Sequence, residues 1–225
     1  MARRKTAARP RASSPVGYER VALVLQGGGA LGAYQVGVFE ALDKAGLCPH
    51  WVAGTSIGAI NAAIIAGNPP GRRLARLGEF WELISRPDGW QPGRLDEETR
   101  KLANQWHSME AAAFGQPGFF RPRAMSPWLV GAGAPEAVSF YDTTPLRDTL
   151  AQVIDLAELN AGAMRLSLGA VNIASGEPRY FDSQRDSSPI GYPHILASGA
   201  LPPGFPPVEV EAGQFYWDGG VVSNT

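Results

Sequence analysis

The sequence predicts an α/β fold built on a central, mainly parallel β-sheet, and three observations support this prediction. Residues 21–25 (VALVL) form a continuous apolar run, as in a strand that is buried on both faces of a parallel sheet. Residues 51–53 (WVA) form a second such run. Each run leads through a glycine-containing turn into a segment with helical character. This strand–helix–strand–helix order is typical of parallel sheets that are covered by helices.

Length and composition are those of one ordinary globular domain. The chain has 225 residues, of which 44% are hydrophobic and 18% are charged, and it is long enough to bury a sizeable core. The formal net charge of -1 gives no global attraction to nucleic acid, so we expect no nucleic-acid partner. The single cysteine, Cys48, excludes an intrachain disulfide and is expected to be a small buried hydrophobe. This cysteine content favours a cytoplasmic protein.

The N-terminal segment differs from the rest of the chain in composition. Residues 1–17 are rich in Ala, Ser, Pro and Arg, and they lack the apolar stretch of a secretory signal. Five cationic side chains are concentrated there: Arg3, Arg4, Lys5, Arg9 and Arg11. No run in the sequence approaches the roughly 18 apolar residues that a membrane-spanning helix needs. We therefore expect residues 1–17 to be a disordered basic tail and residues 18–225 to be a single domain.

Three helices are predicted in the first half of this domain. Residues 33–45 are amphipathic and end at Gly46, a residue type that commonly follows the last turn of a helix. The apolar side of this helix is predicted to comprise Tyr34, Val36, Val38, Phe39 and Leu42. Residues 59–66 are almost entirely apolar, and residues 72–85 carry one apolar stripe at helical spacing.

The regular pattern breaks down between residues 86 and 140. This segment contains scattered prolines, glycines and aromatic residues, with one predicted helix at residues 96–114. We interpret it as an insertion on the α/β frame, which either packs over the sheet edge or forms a mobile lid over the path of a substrate. Its aromatic residues, together with the basic tail, also motivate the hypothesis that the protein is peripheral to a membrane.

Regular elements return after this insertion. Thr144 and Pro145 are predicted to be the N-cap and the first residue of a helix that reaches residue 154. The remaining elements are predicted as strands at residues 165–174 and 178–182, a helix at 194–200, and strands at 208–210 and 214–217. Asp218 directly follows the last of these strands.

Residues 54–58 (GTSIG) match the G-x-S-x-G pattern of a nucleophile elbow. In this turn between a strand and a helix, the central serine has a strained backbone conformation, and the residues two positions away must lack bulk. Gly54 and Gly58 meet this requirement. The turn also places Ser56 at a helix N-terminus, which favours developing negative charge. Ser56 is therefore the candidate nucleophile.

A serine hydroxyl needs a base within hydrogen-bond reach, and this chain has few candidates. The histidines His50, His107 and His194 do not follow the nucleophile and an acid in the order that α/β-hydrolases use. Asp218, at a strand end and followed by two glycines, is a better candidate, although its pKa would have to be raised. On spacing alone, the sequence DGG is equally compatible with an ordinary turn.

Three consecutive glycines, Gly27, Gly28 and Gly29, end the first strand and open a helix. Glycines there can direct several backbone N–H groups to one point, as an oxyanion hole requires. Residues 27–32 (GGGALG) also satisfy the G-x-G-x-x-G pattern of dinucleotide-binding folds. That alternative requires an acidic residue at the end of the second strand, where this chain has residues 54–56 (GTS). The dinucleotide hypothesis is weakened by this but stays open.

Four ordered motifs of this sequence resemble those of the patatin-like phospholipase family: residues 27–32 (GGGALG), 54–58 (GTSIG), 197–202 (ASGALP) and 218–220 (DGG). The resemblance extends over nearly the whole chain. It implies a three-layer α/β/α sandwich with a central, mainly parallel sheet. It also implies calcium-independent hydrolysis of acyl esters in lipids by a Ser–Asp dyad, with no histidine, metal or cofactor.

Carried over by position, the resemblance assigns Ser56 as nucleophile and Asp218 as base. It assigns Gly27, Gly28 and Gly29 as oxyanion-hole donors, and it implies a lipid or another acyl ester as the substrate. Residues 18–225 would then be a patatin-like acyl hydrolase domain.

Two departures from the family pattern motivate an alternative function. Leu31 stands where many members have Arg or Lys. The family's domain normally continues beyond the final motif, so the resemblance implies that a C-terminal part of the domain is missing from this chain. The alternative is a catalytically inactive lipid-binding or interaction module on the same fold.

Overall fold

A six-stranded mixed sheet organises the part of the chain that the computed structural model describes, which comprises residues 18–85, 96–131, 133–162 and 164–224. The predicted basic tail, residues 1–17, lies outside the described residues, as do residues 86–95 of the predicted insertion.

The predicted elements are present, with ends that shift by no more than two residues. The strands are β1 (Ala22–Leu25), β2 (Trp51–Thr55), β3 (Arg121–Pro122), β4 (Tyr141–Asp142), β5 (Arg165–Asn172), β6 (Pro178–Asp182), β7 (Val208–Glu211) and β8 (Gln214–Asp218). The helices are α1 (Tyr34–Lys44), α2 (Ile57–Ala66), α3 (Arg73–Leu83), α4 (Glu97–Phe114), α5 (Thr144–Val153), α6 (Leu156–Asn160) and α7 (Tyr192–Ser198). Short 3-10 helices at Gly29–Ala33 and Gly219–Val221 flank α1 and β8 respectively.

The central strands of the sheet are parallel, whereas its second half is antiparallel. Strand β2 pairs in parallel with both β1 and β5. Strand β5 also pairs with β6 as an antiparallel hairpin and with β8, which in turn pairs with β7. This arrangement of parallel central strands with flanking helices confirms the predicted α/β class.

The register of β5 brings the ends of β2 and β8 together. Ser167 of β5 pairs with Ala53 of β2 on one side and with Asp182 of β6 on the other. Ala170, three residues further on, pairs with Asp218 of β8 on the side opposite β6. Strands β2 and β8 therefore approach each other end to end along the same edge of β5.

Helix α2 is the centre of the hydrophobic core. Every residue from Ile57 to Ala66 is buried, in agreement with a helix that is apolar on all sides. It contacts the three parallel strands and the helices α1, α3, α6 and α7. The first turn of this helix, which follows Ser56, is consequently held by packing against the sheet and the neighbouring helices.

The structure contradicts four details predicted from the sequence. Strand β1 is not buried on both faces, because it lies at the edge of the sheet, and Val24 is 57% exposed. Tyr34 and Val38 of α1 are 77% and 49% exposed, because only a narrow stripe of this helix that includes Phe39 faces the core. Cys48 is exposed rather than buried, since it lies in the loop between α1 and β2. Thr144 is the first helical residue of α5, and its N–H donates to Oδ1 of Asp142 at 2.9 Å.

The described part of the insertion packs onto the domain through aromatic rings. Helix α4 begins after Asp96, whose side chain accepts from the N–H of Thr99 at 2.8 Å. Beyond this helix, four rings form one cluster with centroid separations of 4.8–6.1 Å: Phe119, Phe120, Tyr141 and Phe205. This supports the packing alternative, whereas a lid motion stays a hypothesis. Among the described residues, no helix combines the length and apolar character needed to cross a bilayer.

Candidate active site

Ser56 lies in a strained turn between β2 and α2. Its backbone angles are φ 57° and ψ -129°, and it is the only non-glycine residue with a positive φ in the described part of the chain. Such a conformation is costly for a residue with a side chain and tends to occur at functional sites. The sharp strand-to-helix turn with a central serine is the geometry of a nucleophile elbow.

Gly54 and Gly58 allow the strand and the helix to approach each other around this serine. A Cβ atom on Gly54 would lie 2.6 Å from the backbone nitrogen of Ala59 and would also overlap the carbonyl of Gly58. A Cβ atom on Gly58 would lie 2.6 Å from the carbonyl carbon of Leu25. These neighbours are backbone atoms of packed elements, so both positions admit only glycine.

The end of α7 and the residues directly after it hold the backbones of both candidate catalytic residues. The N–H of Ser56 donates to the carbonyl oxygen of Ser198 at 3.0 Å and lies 3.1 Å from its Oγ. Oγ of Ser198 donates in turn to the carbonyl oxygen of Gly169 at 2.5 Å. Two residues further on, the carbonyl oxygen of Ala200 accepts from the N–H of Asp218 at 2.9 Å. One buried turn therefore fixes Ser56 relative to Asp218.

The carboxyl group of Asp218 is buried, with only 1% of the residue exposed. Its Oδ1 accepts from the N–H of Gly220 at 2.8 Å, whereas Oδ2 is buried and accepts no hydrogen bond from any described residue. Burial raises the pKa of Asp218, and the Ser56 side chain and the Gly220 N–H act in the opposite direction. The side chain of Ser56 thus lies beside a carboxyl group that has one free acceptor oxygen and an increased affinity for a proton.

The glycine-rich loop after β1 presents free backbone donors next to Ser56. The N–H of Gly27 donates to Oδ1 of Asn224 at 3.0 Å. The N–H groups of Gly28 and Gly29 find no acceptor in the part of the chain that the structure describes. Gly29 has a φ of 56°, which favours glycine, and it lines a cavity together with Ser56.

The inner side of this loop is held by a buried polar network. Asn61 is 1% exposed, and its Nδ2 donates to the carbonyl oxygen of Gly32 at 3.0 Å and to Oε1 of Gln35 at 2.8 Å. Nε2 of Gln35 donates to the carbonyl oxygen of Gln26 at 2.8 Å. Nε1 of Trp81 donates to Oδ1 of Asn61 at 3.2 Å and joins the network to the cavity wall. Both ends of the loop are thereby tied to α1 and α2.

A mainly apolar cavity of about 380 Å³ opens beside Ser56. Its apolar lining includes Ile57, Ile60, Trp81, Ile84, Phe119 and Phe205. Ser85 and Gln116 contribute polar groups to the same lining. A concave, apolar cavity of this size next to a small number of polar groups is typical of a site for a small, largely apolar ligand.

The histidines of the described chain are not placed to activate Ser56. Nδ1 of His50 accepts from the N–H of Val21 at 3.2 Å. His194 packs edge-on against Phe181 at 4.8 Å, and burial lowers its pKa. His107 lies on α4 beside Glu110. The described residues also contain no group of three or more His, Cys, Asp or Glu side chains that could hold a metal ion.

Four polar residues around the site were not singled out from the sequence: Gln35, Asn61, Ser198 and Asn224. Asn61 could have been found, because it is the one polar side chain in an apolar helix. Ser198 lies within the ASGALP motif, but the motif does not reveal its bonds to Ser56. Asn224 carries no such signal, since its partner Gly27 is 197 positions away.

The sequence matches a protein family and several curated proteins. A family model described as Patatin-like phospholipase matches residues 23–225. Lysophospholipase nte1 of Aspergillus terreus is 56% identical over 71 residues, which cover 28% of this chain and 5% of that protein. Patatin-like phospholipase domain-containing protein 6 is 41% identical over 61 residues in both Homo sapiens and Mus musculus, with coverage of 27% of this chain and 4% of those proteins. The chain thus spans a small part of the length of these relatives.

The fold also matches that of a solved structure. The crystal structure of VipD from Legionella pneumophila superposes with a TM-score of 0.51 over 100% of this chain and 52% of that chain. The sequence identity is 17%, so this likeness bears on the fold alone.

Proposed function

The chain belongs to the patatin-like phospholipase family, and we propose that it is a serine acyl hydrolase that cleaves lipid acyl esters with Ser56 and Asp218. The observation that carries this proposal is the position of Ser56. It stands in a strained turn beside the buried carboxyl group of Asp218, and Ser56 itself lines an apolar cavity together with Gly29 of the glycine loop. Family membership and the names of the relatives support lipid ester hydrolysis in general.

In the acylation step, Asp218 acts as general base. Its free Oδ2 takes the proton of the Ser56 hydroxyl while Oγ forms a bond to the carbonyl carbon of the ester. The carbonyl oxygen becomes an oxyanion in the tetrahedral intermediate. When this intermediate collapses, the bond to the leaving oxygen breaks and Asp218 gives its proton to the departing alcohol. The raised pKa of Asp218 suits a group that must both take up and release this proton.

The N–H groups of Gly28 and Gly29 are the donors that we assign to the oxyanion. Both are free in the described chain, and Gly29 borders on the cavity beside Ser56. The N–H of Gly27 is already donated to Asn224, so the predicted role of Gly27 becomes one of shaping the loop. Loss of one oxyanion donor typically lowers kcat by about 10²–10³-fold.

In the deacylation step, the same groups activate water. Asp218 takes a proton from a water molecule whose oxygen attacks the acyl carbonyl carbon. The second tetrahedral intermediate collapses with cleavage of the bond to Oγ of Ser56, and Asp218 returns the proton to that oxygen. The products are a free carboxylic acid and the regenerated serine, so the dyad completes the cycle without a histidine.

We assign the apolar cavity to the acyl chain of the substrate. Its mainly apolar lining favours burial of hydrocarbon, at about 0.8 kcal/mol per methylene group. One cavity of about 380 Å³ beside a single nucleophile suits one acyl chain at a time. Because a relative is named lysophospholipase, a lysophospholipid is the natural-type substrate to test first.

We further propose that the cavity mouth contacts a lipid surface. The apolar residues Leu31, Leu201, Val221 and Val222 are 50–66% exposed; Leu201 also lines the cavity, and the others belong to segments that adjoin the glycine loop and Asp218. Exposed apolar groups gathered at a site commonly mark an interaction surface. We expect wild type to co-sediment with phosphatidylcholine vesicles and the double variant L31S/L201S to bind less.

The matched control for this experiment is V24T, because Val24 is 57% exposed on β1. Equal sedimentation of the double variant, the control and wild type would exclude this contact. A cytoplasmic, membrane-peripheral location is a prediction that follows from the proposal.

The alternative, a non-catalytic lipid-binding module, has no observation in its favour beyond the presence of Leu31 where many family members have a cation. The experiment that separates the two compares fatty-acid release from lysophosphatidylcholine by wild type and by the variants S56A and S108A. We expect S108A, on the exposed side of α4, to match wild type and S56A to lose about 10³-fold or more in kcat. Binding of the lipid without turnover by wild type would support the non-catalytic module.

A further inference from the structure

We infer that Asn224 is a positioning residue that fixes the oxyanion loop for catalysis, an inference that rests on the proposed function. Its side chain binds both polar groups of one residue of the loop. Oδ1 accepts from the N–H of Gly27 at 3.0 Å, and Nδ2 lies 3.4 Å from the carbonyl oxygen of Gly27. An amide side chain is suited to this double contact because it carries one acceptor and one donor.

Gly27 is held between Asn224 and the nucleophile. A Cβ atom on Gly27 would lie 2.9 Å from Cβ of Ser56 on one side and would overlap Oδ1 of Asn224 on the other. A displacement of Asn224 therefore changes the position of Gly27 relative to Ser56. Because Gly28 follows directly in the chain, the direction of its free N–H group depends on the same contact.

The segment that bears Asn224 also bears the general base. A Cβ atom on Gly220 would lie 3.1 Å from Oδ1 of Asp218 and 3.5 Å from Oδ1 of Asn224, so both side chains border on this turn. The N–H groups of Val222 and Ser223 donate to the carbonyl oxygen of Gly219 at 3.0 and 2.8 Å. This short turn thus couples the position of the base to the position of the oxyanion loop.

A loop of glycines needs such a restraint. Glycine loses more conformational freedom on ordering than any other residue, and a misplacement of about 1 Å in a catalytic group can lower the rate about 10²-fold. The inner side of the loop is held by Gln35 and Asn61 through the carbonyl oxygens of Gln26 and Gly32. Asn224 provides the outer contact, at the residue that directly precedes the free N–H groups.

Asn160 provides a matched control because it makes the same kind of double contact at another place. Its Oδ1 accepts from the N–H of Ile190 at 2.9 Å, and its Nδ2 donates to the carbonyl oxygen of Ile190 at 2.9 Å. Neither residue lines the cavity beside Ser56. A comparison of the two sites can therefore separate the general effect of losing an asparagine-to-backbone contact from the specific effect of losing the contact between Asn224 and Gly27.

The experiment measures kcat, KM and the pH profile of N224A, N224D and N160A with a p-nitrophenyl ester, together with amide hydrogen exchange of residues 26–32. We expect N224A to lower kcat about 10- to 100-fold with KM changed less than threefold, and to accelerate exchange in this segment. We expect N160A to keep the wild-type kcat of its folded fraction. N224D places a negative charge near Asp218, which should raise the pKa of that base further. We therefore expect the acid limb of the pH–rate profile of N224D to lie at higher pH than that of wild type.

Unchanged kcat and unchanged exchange in N224A would overturn the inference, as would an equal loss of kcat in N160A. The hydrogen-exchange measurement tests whether Asn224 orders the glycine loop even if wild type hydrolyses no ester. In that case the proposed function fails, while faster exchange in N224A would still show that Asn224 orders the loop.

Discussion

Ser56 and Asp218 lie close together because the strands that precede them, β2 and β8, run towards each other along one edge of β5 and end at neighbouring residues of that strand. Thr55, which precedes Ser56, pairs with Gly169 in a parallel ladder, and Asp218 pairs with Ala170 in an antiparallel ladder. Two strands that end head to head on one edge of β5 thus deliver the nucleophile and the base to one point. No loop closure is needed to bring them together.

The pH dependence of the reaction should reflect the buried carboxyl group. Asp218 must be ionised to accept the serine proton, and burial raises its pKa above the ordinary value of 3.8. We expect kcat/KM to increase with pH through a limb that lies above pH 3.8, as measured with an uncharged p-nitrophenyl ester. A limb at or below the ordinary value would show that a carboxyl group in this environment is not the base.

The same group should make the protein less stable at neutral pH than a neutral analogue. Because the folded-state pKa is raised, Asp218 stabilises the fold fully below its unfolded pKa, and this contribution is lost as pH increases through the folded pKa. We therefore expect D218N to raise Tm relative to wild type at pH 7 and to lose this advantage towards pH 4. Activity should fall about 10³-fold or more.

The control for the comparison of D218N with wild type is D148N, because Asp148 is exposed to solvent. This variant should have the Tm and the activity of wild type at both pH values. A D218N protein with a Tm below that of wild type at pH 7 would contradict the destabilising effect of the buried charge.

Acyl-chain preference should depend on the apolar side chains that line the cavity. Ile84 is 6% exposed and lines the cavity, so I84W would fill space that we assign to hydrocarbon. We expect kcat/KM for p-nitrophenyl palmitate to fall about tenfold or more, while the value for p-nitrophenyl acetate stays within about threefold. The neighbouring, partly exposed Leu83 does not line the cavity, and L83W is the control. Equal losses for both esters would indicate a folding defect instead.

Much of the fold was predictable because its signals are local. The apolar runs at 21–25 and 51–53 predicted two parallel strands, and the glycines of residues 54–58 predicted the turn between the second strand and α2. The exposure of Tyr34 and Val38 was not predictable. An amphipathic pattern indicates that a helix has an apolar side, but the width of that side in contact depends on which neighbours pack against it.

The site was predictable as a set of residue types but not as an arrangement. The motif at 54–58 named Ser56, and the position of Asp218 after a strand made it a candidate, yet the pairing of Asp218 with Ala170 is a property of the sheet register. Hydrogen bonds such as Gly27 to Asn224 and Ser56 to Ser198 connect residues 197 and 142 positions apart. Spacing in the sequence carries no information about such contacts.

The most direct test of the account is covalent labelling of the nucleophile. Wild type and the variants S56A and D218N are treated with a fluorophosphonate probe, and the modified residue is identified by mass spectrometry. We expect rapid labelling of wild type at Ser56 alone, much slower labelling of D218N at the same residue, and none of S56A. Labelling of S56A at the rate of wild type, or modification of wild type at another residue, would contradict the assignment of Ser56 and Asp218.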